Sequence, residues 1–144
     1  MNKKYLGLLT LGSVLLVSAS VTSAILPSGV GTYSAWTPST GATHYTLVDE
    51  TSCNGTTDYV STSLIGGRDS YAVSVASVPN GAVITGISLI PCASKDVNSG
   101  TANLSVFYRL NGSDSANSAT YALSGKTPVT LATTTYAGLF VTKN

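Results

Sequence analysis

One histidine, six carboxylates, two cysteines and a group of aromatic rings near residue 40 are the side chains of this 144-residue chain from which chemistry could be assembled. Serine hydroxyls abound, but a Ser–His–Asp arrangement needs a base that titrates near neutral pH, and His44 is the single candidate. Asp49 is near enough in sequence to orient it. No Gly-x-Ser-x-Gly elbow occurs, and His44 sits beside Tyr45 in an alternating run where an exposed strand position is the simpler account. The chain is therefore expected not to be an enzyme and to carry no catalytic residue.

The carboxylates are Asp49, Glu50, Asp58, Asp69, Asp96 and Asp114. A glycosidase pair would have to come from these six. Five are Asp, most in or near stretches of Gly, Ser, Thr and Asn, which is turn composition; Glu50 alone follows an expected strand. No cofactor is implied. If a Ca2+ ion were held, two or three of these carboxylates would do so with loop carbonyls, although no spacing resembles an EF-hand.

Tyr33, Trp36, His44 and Tyr45 fall close together in sequence. Tyr33, Trp36 and Tyr45 could stack against a sugar ring, and the same residue types equally suit the rim of a β core with one polar edge wet. Cys53 and Cys92 are the only cysteines. In an oxidising compartment they have one pairing, whereas a metal site would lack ligands with no further thiol and one His. Asn54-Gly-Thr56, Asn103-Leu-Ser105 and Asn111-Gly-Ser113 match the glycosylation pattern, as chance alone provides in so hydroxyl-rich a chain.

The compartment is read from the first residues. Lys3 and Lys4 precede an uncharged apolar run from Tyr5 to Val17, which leads into Ser18-Ala19-Ser20-Val21-Thr22-Ser23-Ala24. That is the order of a secretory signal peptide, residues 1–24, with cleavage expected after Ala24. The run is shorter than the roughly 20 residues a membrane span needs. A retained anchor is the alternative, against which the small-residue tail speaks. The expected location is secreted or at the cell surface, free of the membrane once the signal is removed.

Removing residues 1–24 leaves Arg68, Lys95, Arg109, Lys126 and Lys143 against six carboxylates, a net charge of −1. Five scattered cations build no basic patch, so nucleic-acid binding is set aside. Ser and Thr supply 35 of the 120 remaining residues. Such a surface is solvated by hydroxyls and, with net charge near zero, is prone to association.

Residues 25–144 are long enough for one core. Gly, Asn, Ser and Thr interrupt every candidate helix, and period-two alternation recurs in its place. It is cleanest in Leu104, Val106, Tyr108 and Leu110 against Ser105, Phe107 and Arg109. Tyr71, Val73 and Val75 alternate with Ala72 and Ser74. The run from Ala82 to Cys92 reads as a strand covered on both sides or bent midway at Gly86. Pro79-Asn80-Gly81, Asn111-Gly112, Asn98-Ser99-Gly100, Ser124-Gly125-Lys126 and Ala137-Gly138 supply turns or breaks. Strands are expected over 31–36, 42–48, 57–63, 70–77, 82–93, 101–110, 118–123, 128–134 and 137–142. Eight or nine short strands at this spacing predict an all-β fold, a β-sandwich of jelly-roll or Greek-key topology.

Trp36, Tyr45-Thr-Leu-Val-Asp-Glu50, Asp58-Tyr-Val-Ser61, Asp69-Ser-Tyr71, Gly81-Ala-Val-Ile84 and Ile87-Ser-Leu89 occur in that order. Over about residues 33–110 this resembles jelly-roll-like modules of phage virion and tail proteins and of secreted bacterial surface proteins. The resemblance implies a β-sandwich for structural display or adhesion. The signal peptide and the cysteines depart from it toward a cellular secreted protein. Where related modules continue through a Trp-containing segment and a closing strand, this chain reaches Asn144; either it is a fragment or its sandwich lacks an edge strand. The expected function is a secreted, non-catalytic structural or adhesive module, with self-association or strand addition at a sheet edge; the alternative is an extracellular carbohydrate-binding module with a glycan as partner.

Overall fold

The computed structural model describes residues 22–41, 43–53, 57–96 and 100–144. Most of the expected signal peptide 1–24, the Asn54-Gly-Thr56 sequon and the Asn98-Ser99 part of one expected turn lie outside the described residues. The fold is all-β. Twelve strands are described: β1 (Pro27–Ser34), β2 (Thr37–Pro38), β3 (Val60–Ser61), β4 (Asp69–Val73), β5 (Val83–Leu89), β6 (Cys92–Ala93), β7 (Ala102–Leu104), β8 (Arg109–Leu110), β9 (Ser113–Asp114), β10 (Tyr121–Leu123), β11 (Val129–Thr130) and β12 (Thr134–Thr142). All pair antiparallel and two by two. The six pairs run end to end as three ribbons: β1–β4 continued by β2–β3, β5–β12 continued by β6–β11, and a hairpin in which β8–β9 continues into β7–β10.

The hairpin forms for the reason its sequence suggests. Asn111 and Gly112 both have positive φ, 50° and 81°, and join Leu110 to its partner Ser113. A two-residue loop with both φ positive matches the right-handed twist of the arms it connects. Both faces of the hairpin are engaged. Tyr108 packs edge-on against Tyr136 of β12, with ring centres 4.9 Å apart. Phe107, on the other face, meets Tyr33 of β1 at 5.9 Å and lies under the Arg68 guanidinium at 4.5 Å. The hairpin thus ties the other two ribbons together. Tyr136 strengthens one side by donating its hydroxyl proton to the Val106 carbonyl at 2.7 Å.

The abundant serines enter the ladders themselves. Ser118 Oγ accepts the Val106 N–H at 2.9 Å and Ser115 Oγ accepts the Tyr108 N–H at 3.0 Å. Each hydroxyl then donates to the carbonyl of the following residue, Ala119 or Ala116. Ser70 Oγ takes the Tyr33 N–H at 2.9 Å, where the β1–β4 register shifts, and Ser39 Oγ takes the Tyr59 N–H at 2.9 Å beside β2–β3. At these four positions a hydroxyl stands in for the carbonyl a regular ladder would present, so the amide is not left unpaired. Gly31 makes the Ser70 contact feasible, because a Cβ there would lie 2.2 Å from the Ser70 carbonyl oxygen.

The long ribbon is irregular beside Gly86. Register shifts between Ala137 and Val141, opposite Gly86 and Ile84. Both strands change phase there: Ile84 then Ile87 and Leu89 turn inward on β5, Tyr136 then Leu139 and Val141 on β12. Gly138 and Phe140 of the bulge have φ of 76° and 50°, and Phe140 is 73% exposed.

Two expectations are corrected. Of the strand expected over 42–48, the described residues 43–48 form none; His44–Leu47 is a 3₁₀ helix. The Thr46 hydroxyl and N–H both bond the Thr43 carbonyl, at 2.8 and 3.1 Å, a local closure that competes with strand pairing. This turn drives Leu47 inward, the one apolar residue buried among those described, at 5% exposure. The expected alternation through Val75 ends at Val73, which is exposed. Of the expected long strands, 101–110 is divided into β7 and β8 where Ser118 and Ser115 take the Val106 and Tyr108 amides, and 82–93 into β5 and β6 at Ile90-Pro91.

Candidate functional site

The 3₁₀ helix lays His44 and Tyr45 against the β1–β4 ribbon. There Val30, Tyr33, Thr43, His44, Tyr45 and Tyr71 line a cleft of about 290 Å3, with Ser34 and Ser70 at its wall. Behind it stands Asp69, whose side chain is 3% exposed. Its Oδ2 accepts from His44 Nδ1 at 2.8 Å and from the Tyr71 hydroxyl at 2.9 Å, while Oδ1 is buried with no partner. A buried carboxylate satisfied through one oxygen alone holds its two donors firmly. Because an ionised carboxylate only accepts, Nδ1 of His44 carries a proton, and in the neutral imidazole the Nε2 lone pair faces away from Asp69. Burial first, then the bond to Asp69, raises the Tyr71 phenol far above its ordinary range, so it remains a donor.

His44 is therefore not at an exposed strand position, and its orienting carboxylate is Asp69 and not Asp49. Asp69 and Asp114 lie on strands, not in turns, and Glu50 follows the 3₁₀ helix. Among the described residues no hydroxyl is hydrogen-bonded to His44 Nε2. Of the expected stacking residues, Tyr33 and Tyr45 meet at the cleft; Trp36 does not line it and spends its indole N–H on the Gly67 carbonyl at 3.0 Å. Tyr71 and Asp69 were missed. Their i, i+2 spacing on a strand, which sets both on one face, was the available signal.

Comparison with family models, with curated proteins and with solved structures finds no match.

A second cluster joins the ribbons beside the cleft. Asp114 Oδ2 accepts from the Tyr33 hydroxyl and from Arg68, each at 2.7 Å, and Oδ1 from Arg109. Both guanidinium groups also lie over the Tyr33 ring, at 5.3 and 5.6 Å. The Tyr33 hydroxyl is the main cause, with Arg109 and Arg68 behind it and partial burial opposing, of an Asp114 carboxyl held below the usual carboxylate range. The bond to Asp114 in turn raises Arg109. Every polar group here is spent on its neighbours, so the cluster braces Tyr33 in the cleft wall. A more open depression of about 480 Å3, bordered by Tyr33, Leu64, Gly67 and Arg68, gathers no comparable chemistry. Among the described residues no group of three or more His, Cys, Asp or Glu converges. The Cys53–Cys92 disulfide is formed, with Cα atoms 5.5 Å apart, and fastens the segment after the 3₁₀ helix to β6.

Proposed function

We propose that the chain is a secreted, non-catalytic module of the cell surface, a jelly-roll-type β-sandwich with a structural or adhesive role exercised through association at a sheet edge. The observation that carries this reading is β12. Among the described residues it is bonded along one edge, to β5, and its bulge holds Phe140 out at 73% exposure in a backbone conformation a bulky side chain rarely adopts. An open edge offers unpaired donors and acceptors, and an exposed aromatic offers an anchor. Of the ionic side chains after Asp114, Lys126 and Lys143 are all there are, so little charge repels a partner. Sedimentation velocity over a wide concentration range tests it. Concentration-dependent association that Phe140→Ser weakens is expected; a strictly monomeric protein whose edge amides are all protected from exchange refutes it.

The tyrosine-lined cleft favours a second reading, an extracellular carbohydrate-binding module. Its aromatic rings and hydroxyls suit a ligand with both an apolar face and many hydroxyls. Glycan-array binding by the exported protein is the measurement that raises it over the first.

A further inference from the structure

We infer that the cleft between the 3₁₀ helix and the β1–β4 ribbon is a site for an uncharged saccharide ring, with Tyr45 as its stacking surface and His44 Nε2 as a fixed acceptor for one sugar hydroxyl. The inference rests on the carbohydrate-binding reading and deepens it. The three tyrosines of the lining are not equivalent. Tyr33 has its hydroxyl on Asp114 and Tyr71 has its own on Asp69, so both rings are locked as walls. Tyr45 makes no hydrogen bond through its hydroxyl among the described residues, which leaves both ring and hydroxyl available at the cleft. His44 is pinned through Nδ1 by Asp69, a buried group, and so offers an acceptor that need not be ordered on binding. Locked walls, one free ring and one preset acceptor form a prepared polar cleft.

The electrostatics select the ligand. His44 and the tyrosines are the only titratable groups in the lining. The two nearby guanidinium groups are both turned to Asp114, and the remaining carboxylate, Asp69, lies behind the wall. An acidic sugar would find no Lys or Arg in the lining and would leave a carboxylate half-desolvated near the Asp69 carboxyl, whereas a neutral ring meets neither cost.

The test uses the exported protein on an array of neutral and acidic glycans, followed by calorimetry on the best ligand. Tyr45→Ala is expected to weaken binding about tenfold, the loss of one aromatic stack, while Tyr45→Phe stays within about threefold. His44→Gln, which can retain a donor toward Asp69, should weaken binding with the melting temperature nearly unchanged. A neutral glycan bound equally well by wild type and Tyr45→Ala overturns the cleft assignment but leaves the carbohydrate-binding reading intact. Preference for acidic glycans overturns the selection argument. No glycan bound at all, or a proline-rich peptide bound in the cleft by chemical-shift mapping, overturns both.

Discussion

Replacing Ser118 by Ala removes one hydroxyl that does two things: it accepts the Val106 N–H at 2.9 Å and donates to the Ala119 carbonyl at 2.8 Å. The carbonyl is exposed and can turn to water. The amide is half-buried between two strands, with Tyr108 and Tyr136 packed beside it, and a methyl group leaves it unpaired. An unsatisfied buried donor costs about 1–3 kcal/mol, and partial exposure places this one at about 1–2 kcal/mol. The control is Ser88→Ala, whose hydroxyl meets that of Thr135 at an exposed site, where about 0.5 kcal/mol is the ceiling. Urea unfolding monitored by circular dichroism gives both values, and Ser118→Thr should recover most of the loss by restoring the hydroxyl. Amide exchange localises it: Val106 should lose about tenfold in protection, the equivalent of 1.4 kcal/mol, while Ile87 changes only with global stability. Equal costs for Ser118→Ala and Ser88→Ala, or an unchanged Val106 amide, would refute the claim that serine hydroxyls complete these ladders.

Four further outcomes are expected. The Cys53–Cys92 bridge spans a sequence separation of 39; closing such a loop contributes about 4 kcal/mol in the chain-entropy model, so the doubly Ser-substituted protein should melt roughly 10–15 °C lower by calorimetry. Native intact mass should rise by about two daltons on reduction, one hydrogen per sulfur. Asp114 has a depressed pKa in the folded state, so its contribution is complete above about pH 5 and is lost as pH falls below about 4; Asp114→Asn should flatten the acid limb of a melting-temperature profile, and an unchanged limb counts against the cluster. Tyr71 is shifted the other way, so its contribution is present below about pH 10 and fades as pH rises further; Tyr71→Phe should remove that alkaline limb.

Local features were legible in the sequence and distant ones were not. The Asn111-Gly112 turn rests on φ requirements that two adjacent residues determine, and it is present. The fate of residues 42–48 was hidden because Thr46 bonds Thr43 locally, a choice that alternation of apolar residues does not report. Trp36 and Tyr45 are near in sequence but part company, since the Gly67 carbonyl that takes the indole N–H belongs to a segment 31 residues away. His44 found its partner in Asp69, 25 residues on, and nothing in the spacing distinguishes that carboxylate from Asp49. Serine's part in the ladders was equally invisible: composition indicates a hydroxyl-rich surface, while the use of Ser70, Ser115 and Ser118 depends on where the register slips.

The placement of the hairpin has a kinetic consequence. Its arms are joined by two residues, whereas the outer ribbons pair residues as distant as Val30 and Tyr71, or Ile87 and Tyr136. Short loops close at small entropic cost and on a timescale of about 1–10 μs for a hairpin, while pairings of high sequence separation wait for contacts already made. Residues 102–123 should therefore order first and present Phe107 and Tyr108 as templates, one for each ribbon. The cleft, built on the β1–β4 ribbon and the 3₁₀ helix, should be completed last. Pulse-labelled exchange would then protect the Tyr108 amide before that of Ile87, and Gly112→Ala would slow the appearance of both outer ribbons by delaying the element on which they assemble.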